Sequence, residues 1–235
     1  MDDPKGDPVP TPPSPRTRPT RERIMAAAVD LADRDGIDAL TIRALAKEMG
    51  VGPMTLYHYV EGKEQVLDGM VDVVFEKIAL PDPARPWRDA VRARCASARE
   101  VLVRHPWSVP LLESRRSPGP ATLRHHEAML ACFLEAGLSM PLTAHAYAVL
   151  DAYVYGFAIQ EASLLVQGGE GSAETAAEVS EGFSPESHPH LVRFTTEHAM
   201  RPDYRFGDSF AYGLDLVLDG LEAAAGDEAA GVGVA

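Results

Sequence analysis

The stretch from Leu40 to Lys63, LTIRALAKEMGVGPMTLYHYVEGK, constrains the fold more than any other part of the chain. Ile42, Leu45, Ala46 and Met49 fall at i, i+3, i+4 and i+7, the apolar face of a short helix. Thr41 precedes that face as an N-cap, its hydroxyl placed to accept from an orphan backbone N–H. Gly50 follows the last apolar position, where a left-handed residue ends a helix at little cost. Pro53 stands where a second helix begins, because a missing N–H costs nothing in a first turn. That second helix carries Thr55, Leu56, Tyr57, His58 and Tyr59 and ends before Glu61-Gly62. Two short helices joined by a glycine-bearing turn, the second polar, make a helix-turn-helix. Such a unit sets its second helix in the major groove of DNA.

Across LTIRALAKEMGV and then TLYHYVEGKEQVL the chain resembles the tetracycline-repressor (TetR) family of bacterial transcriptional regulators. The resemblance covers residues 20 to about 70. It implies an all-α protein, with an N-terminal three-helix DNA-binding head and a larger helical body for ligand binding and dimerisation. It also implies roles for single residues. Arg43 matches a position that reaches a guanine edge, where a guanidinium fork suits O6 and N7. Thr41 matches a phosphate contact. Gly52, Pro53 and Met54 lie where base edges are met, and Met54 suits a thymine methyl. Thr55, Tyr57 and Tyr59 offer hydroxyls to phosphates, which positions the head without reading sequence. Lys63 brings an ammonium to the backbone. His58 departs from the family's usual aromatic at its position. For Tyr57 and Tyr59 the alternative is that one of them packs the core of the head.

The net charge of −13 argues at first against a nucleic-acid partner, but its distribution answers the objection. Residues 14–63 carry a net +1, whereas everything from Glu64 onward carries −12. Phosphate repels such a body and tolerates only its head, which orients the molecule on approach. Arg16, Arg18, Arg21 and Arg23 cluster before the first helix. Cys95 and Cys132 stand in no metal-like or CxxC spacing, so the reading is a reduced cytoplasmic protein whose cysteines act as small hydrophobes. The sequence has no apolar leader and no charge-free run of 18 apolar residues, so no membrane partner is expected.

In chain order, residues 1–19 hold seven prolines and read as a disordered tail, either a solvated leader or an arm for the minor groove. The DNA-binding head is expected over 20–66, the body over 67–225 and a frayed tail over 226–235. A first helix runs from Thr20 to Asp35, with Ile24, Ala27, Ala28, Leu31 and Ala32 buried and Gly36 ending it. The fourth helix starts near Lys63 and aligns Val66, Leu67, Met70, Val71, Val74 and Ile78, linking head to body. Further helices are predicted over 87–104, 121–136, 141–167, 190–200 and 204–225, with a short piece at 106–113 and a loose acidic loop at 168–187. Arg88, Arg92, Arg99 and Arg104 read as a solvated face, and His125-His126 as a surface pair. The resemblance implies that the helices at 141–167 and 204–225 meet their copies in a homodimer. A buried hairpin within a monomer would look the same, but operator symmetry also argues for a dimer, with half-sites roughly 34–36 Å apart or a multiple of that.

The expected function is a ligand-responsive regulator, a repressor that binds a palindromic double-stranded DNA operator and is released by a small hydrophobic effector. Candidate effector contacts are Trp107, Leu111, Met129, Phe133, Tyr147, Tyr153, Phe157 and Gln160, apolar with a few polar handles, though each also reads as ordinary core. His188, His190 and His198 with Glu197 have loosely metal-like content, but Pro189 between them argues against a site, and no cofactor is expected. An enzyme reading finds no GxSxG, no HExxH and no phosphate-cradling glycine motif. The remaining alternatives are a helix-turn-helix fold used as a protein-interaction module and a transcriptional activator.

Overall fold

The computed structural model describes residues 19–115, 117–166, 182–201 and 203–231. The predicted tail up to Arg18 and most of the predicted acidic loop lie outside the described residues.

The head comprises α1 (Arg21–Asp35), α2 (Ile42–Glu48) and α3 (Pro53–Leu56), followed by α4 (Lys63–Glu76). Thr20 caps α1 by accepting from the Arg23 N–H at 3.3 Å. Thr41 caps α2 by accepting from the Ala44 N–H at 3.0 Å. Gly50 follows α2 at φ +66°, the left-handed conformation that turns the chain toward α3. Ile24, Ala28, Leu45, Leu56, Val60, Val66 and Met70 are buried together, so α4 closes the head from below as well as leaving it.

Two boundaries in this region depart from expectation. The second helix of the helix-turn-helix is regular only to Leu56; beyond it the bonds shorten to three-residue spacing, from His58 N–H to Thr55 and from Tyr59 N–H to Leu56. That tighter turn carries Val60 into the core while Tyr57 and His58 stay outside. Helix α4 stops at Glu76, although Ile78 remains buried beyond its end.

The body holds α5 (Trp87–Arg104), α6 (Ser108–Ser114), α7 (Pro120–Glu135), α8 (Met140–Val166), α9 (Pro189–Phe194) and α10 (Ser209–Ala229). Helix α5 packs lengthwise on α8 and also touches α7 and α10. The helix predicted for 190–200 is α9 followed by a wider turn over Thr195–Ala199. The last helix begins later than predicted, because a tight turn at Phe206–Asp208 stacks Phe206 on Phe157, ring centroids 4.7 Å apart. It also runs past Ala225 to Ala229, so residues 226–229 are helical where a frayed tail was expected. Glu228 explains that extension: its carboxylate accepts from the Ser139 hydroxyl at 2.6 Å and ties the end of α10 to the start of α8.

Of the predicted solvated face of α5, Arg104 is exposed, whereas the other three arginines form ion pairs. Arg88 meets Asp219 and Glu222, Arg92 meets Asp215, and Arg99 meets Glu161. Among these, Arg88 and Arg99 are mostly covered, and Arg99 also lies over the rings of Phe157 and Phe210.

Candidate nucleic-acid interface and effector region

Most of the expected DNA contacts lie on the surface of the head. Arg43, Gly52, Pro53, Met54, Tyr57, His58 and Lys63 are all exposed, and Thr55 is half-buried. Met54 is 72% exposed, an apolar side chain held in solvent at the start of α3. The Thr41 hydroxyl is exposed and already accepts the Ala44 N–H, which leaves its own proton for a phosphate oxygen. Tyr59 is partly buried against the core and Tyr57 is half exposed, so Tyr59 is the tyrosine that packs. Lys63 is the first residue of α4, the end where a helix macrodipole disfavours a cation. Its position is better suited to an external phosphate than to the stability of its own helix. The Gln65 side chain accepts from the Glu61 N–H at 3.0 Å and holds that turn in place.

From this end, α4 is bound to the body along one side. Glu64, Asp68, Asp72 and Glu76 recur every four residues and so share one face. Arg115 pairs with Glu64 at 2.8 Å and with Asp68 at 3.2 Å. Asp72 accepts from both the backbone N–H and the hydroxyl of Thr122, capping the first turn of α7. Gly119 lets that turn approach, since a Cβ there would collide with the Asp72 carboxylate. Arg124 lies 3.8 Å from Glu76. Sequence reading missed this ladder, although its four-residue spacing was visible.

A second tie joins α1 to the body. Asp33 accepts from the Trp107 indole N–H at 2.6 Å and pairs with His105 Nδ1 at 2.8 Å. On its other side the His105 ring meets the Lys77 ammonium at 3.0 Å. With Lys77 donating to Nε2, the ring donates from Nδ1 to Asp33. One buried imidazole thus links the end of α1, the end of α4 and the end of α5.

The eight candidate effector residues enter several different contacts. Trp107 is committed to Asp33. Met129 and Phe133 are core, with Trp87 edge-on to Phe133. Leu111 is half-buried on α6, and Gln160 is exposed. Tyr153 donates its hydroxyl to the Phe210 carbonyl at 2.9 Å and stacks on that ring, and Phe157 joins the same α8–α10 contact. Only Tyr147 faces a polar interior, where its hydroxyl meets His126 Nδ1. His125 is 2% exposed and His126 is half-buried, which corrects their reading as a surface pair. They sit beside Arg94, 1% exposed, whose Nη1 is 3.5 Å from Asp151. Arg94 is not among the arginines read from sequence as a solvated face, and its burial was not anticipated. Its place between Val91, Cys95 and Ala98 on the apolar face was the available signal.

Burial raises the Asp151 carboxyl above the ordinary carboxylate range, with Arg94 and His126 pulling the other way. Burial and then Arg94 lower His125 to about 4, so this imidazole is neutral near pH 7. Burial pushes the Cys95 thiol up to about 11, which suits an unreactive core residue. Among the described residues, no three His, Cys, Asp or Glu side chains gather as a metal site, and His188, His190 and His198 are all exposed. No helix of the described residues is long and apolar enough to cross a membrane.

An all-helical body carrying an exposed helix-turn-helix defines a DNA-binding transcriptional regulator. Residues 24–70 match the model of bacterial regulatory proteins of the tetR family, and residues 80–225 match the tetracyclin repressor-like C-terminal domain. The chain belongs to the TetR family. It is 33% identical over 218 residues to the HTH-type transcriptional repressor DrrR1 of Streptomyces coeruleorubidus, covering 88% of this chain and 79% of that protein. The class D tetracycline repressor of Escherichia coli is 25% identical over 209 residues, covering 87% and 90% of the two chains. The crystal structure of the Streptomyces coelicolor TetR family protein ActR in complex with actinorhodin superposes with a TM-score of 0.73 at 27% identity, over 92% of this chain and 99% of that one.

Proposed function

We propose that this protein is a cytoplasmic repressor that binds a palindromic operator as a homodimer and is released by a small, largely hydrophobic effector. The observation that carries this reading is the exposure of Arg43, Pro53, Met54, Tyr57, His58 and Lys63 on a helix-turn-helix whose apolar residues Leu45, Leu56 and Val60 are buried. Arg43 reads a guanine, Met54 meets a thymine methyl, and Thr41, Thr55, Tyr57 and Lys63 hold phosphates. Dimerisation is supported by apolar side chains left in solvent on α8 and α10: Val149, Ile159, Tyr212 and Leu216. The effector reading draws on the actinorhodin complex of ActR and on the ties that bind α4 to α6 and α7. A ligand between these helices displaces α4 and resets the spacing of the two heads, to the extent that it prefers the released arrangement. No turnover of the effector is part of this function.

The test is fluorescence anisotropy with the palindrome-bearing DNA that flanks the protein's own gene, at two salt concentrations. Specific binding with a steep salt dependence is expected, because phosphate neutralisation releases counterions. Binding without sequence preference would favour the protein-interaction alternative, and enhanced transcription from the bound promoter would favour an activator.

A further inference from the structure

Helix α8 carries a stripe of polar residues, Thr143, Tyr147, Asp151 and Tyr155, at four-residue spacing within an otherwise apolar span. The stripe faces Arg94 of α5 and His125 and His126 of α7. A buried polar group without a partner costs several times what a satisfied bond contributes, so such a seam is normally fully paired. This one is not. Arg94 Nε and Nη1, His125 Nδ1 and the Thr143 hydroxyl are buried with no hydrogen-bond partner among the described residues. Arg94 stays charged at any working pH, and its Nη1 reaches Asp151 only at 3.5 Å without a bonded geometry.

The chemistry of what is missing is legible from the orphans. Two guanidinium N–H groups can only donate, so they require an acceptor, and the positive charge favours an anionic one. Tyr147, Tyr155 and Phe75 border the seam with aromatic surface. We infer that the seam between α5, α7 and α8 is the effector's polar anchor, with Arg94 receiving the carboxylate of an aromatic ligand. This deepens the effector reading and rests on it. Burial raises the Asp151 carboxyl, which eases the uptake of a proton there when an anion arrives. His125 also places the seam against the end of α4, its ring 5.6 Å from that of Phe75.

The test uses two probe pairs on the full-length protein: rhein, an anthraquinone carboxylic acid, against danthron, which lacks the acid, and naphthoate against naphthamide. Isothermal titration calorimetry should show at least one acid binding roughly tenfold more tightly than its uncharged partner. Arg94→Met should abolish that preference. Because this variant leaves Asp151 unpaired, Arg94→Met/Asp151→Asn is measured alongside it, with circular dichroism melting to show that both have folded. The inference is overturned if none of the four compounds binds, if acid and neutral partner bind equally, or if the double variant keeps the preference. Operator release by the same compounds separates the two readings. Rhein bound through Arg94 with the DNA complex intact keeps the anion site and sinks its role as effector anchor. Equal release by rhein and danthron keeps the effector reading and removes the acid anchor.

Discussion

In the proposed operator contact, Arg43 is the residue on which sequence recognition would turn. It is exposed in the first turn of α2, and its guanidinium suits a guanine edge. Arg43→Ala should weaken operator binding by about 1–3 kcal/mol while changing non-specific binding much less. Equal losses on operator and random DNA, read by anisotropy, would reassign it to a phosphate. The Thr41 hydroxyl caps α2, and the proposed operator contact gives it a second task at a phosphate. Thr41→Val should therefore cost about 0.5–2 kcal/mol of folding stability in urea unfolding, as lost N-caps do, and weaken operator binding beyond that. In the body, His125 sets a pH dependence. Its pKa is about 4 when folded against 6.5 ordinarily, so the unfolded chain takes up the extra proton between those values. Stability is then complete above pH 6.5 and declines as pH falls toward 4, by at most about 1.4 kcal/mol per pH unit. Urea midpoints across that range should show a flatter acid limb for His125→Asn than for the natural chain.

Among the elements, α4 matters most, because it belongs to both halves. Its apolar face completes the head core, and its acidic face at Glu64, Asp68, Asp72 and Glu76 is tied to α6 and α7. Asp72 is the tie with the most to lose, as it satisfies two donors of a helix N-terminus at once. Asp72→Ala should destabilise the protein by about 0.5–2 kcal/mol, in line with other lost caps. If this tie transmits the effector signal, it should also reduce effector-driven release of DNA, measured by anisotropy, while affinity without effector changes little. Sequence periodicity identified α4 and its apolar face, because burial imposes a spacing that any reader can count. The acidic ladder had the same kind of spacing, yet charges on a helix are normally solvated, and only the packing of α6 and α7 turns these four into contacts. The length of α3 was beyond sequence for another reason: the depth of Val60 in the core decides where the helix tightens.

At the scale of the whole molecule, the apolar residues that α8 and α10 leave exposed require a partner surface. Tyr212 is 71% exposed and Leu216 is 56% exposed, one helical turn apart. Tyr212→Asp/Leu216→Asp should yield a monomer by light scattering and reduce specific operator affinity by roughly 100-fold or more, since two linked half-sites act as one high-avidity site. A variant that stays dimeric would place the interface elsewhere. The acidic body then serves orientation, because only the near-neutral end of the molecule approaches phosphate without repulsion.

The chain by itself determined the helix-turn-helix, its capping residue Thr41, its turn at Gly50, and which side chains of that unit stay exposed. These are local matters, set by neighbours three or four positions apart, and local patterns survive in one dimension. It also determined the all-helical class, since period-3.6 burial recurs along the body. What only the tertiary structure decided is which helices face one another. It split the predicted effector residues among separate contacts, sent Trp107 to Asp33, and drew Arg88, Arg92 and Arg99 into ion pairs across helix interfaces. It also brought Arg94, His125 and Asp151 into one buried seam from three helices. Whether a charged residue is solvated, paired or left waiting for a ligand depends on what packs over it, and that is a property of three dimensions.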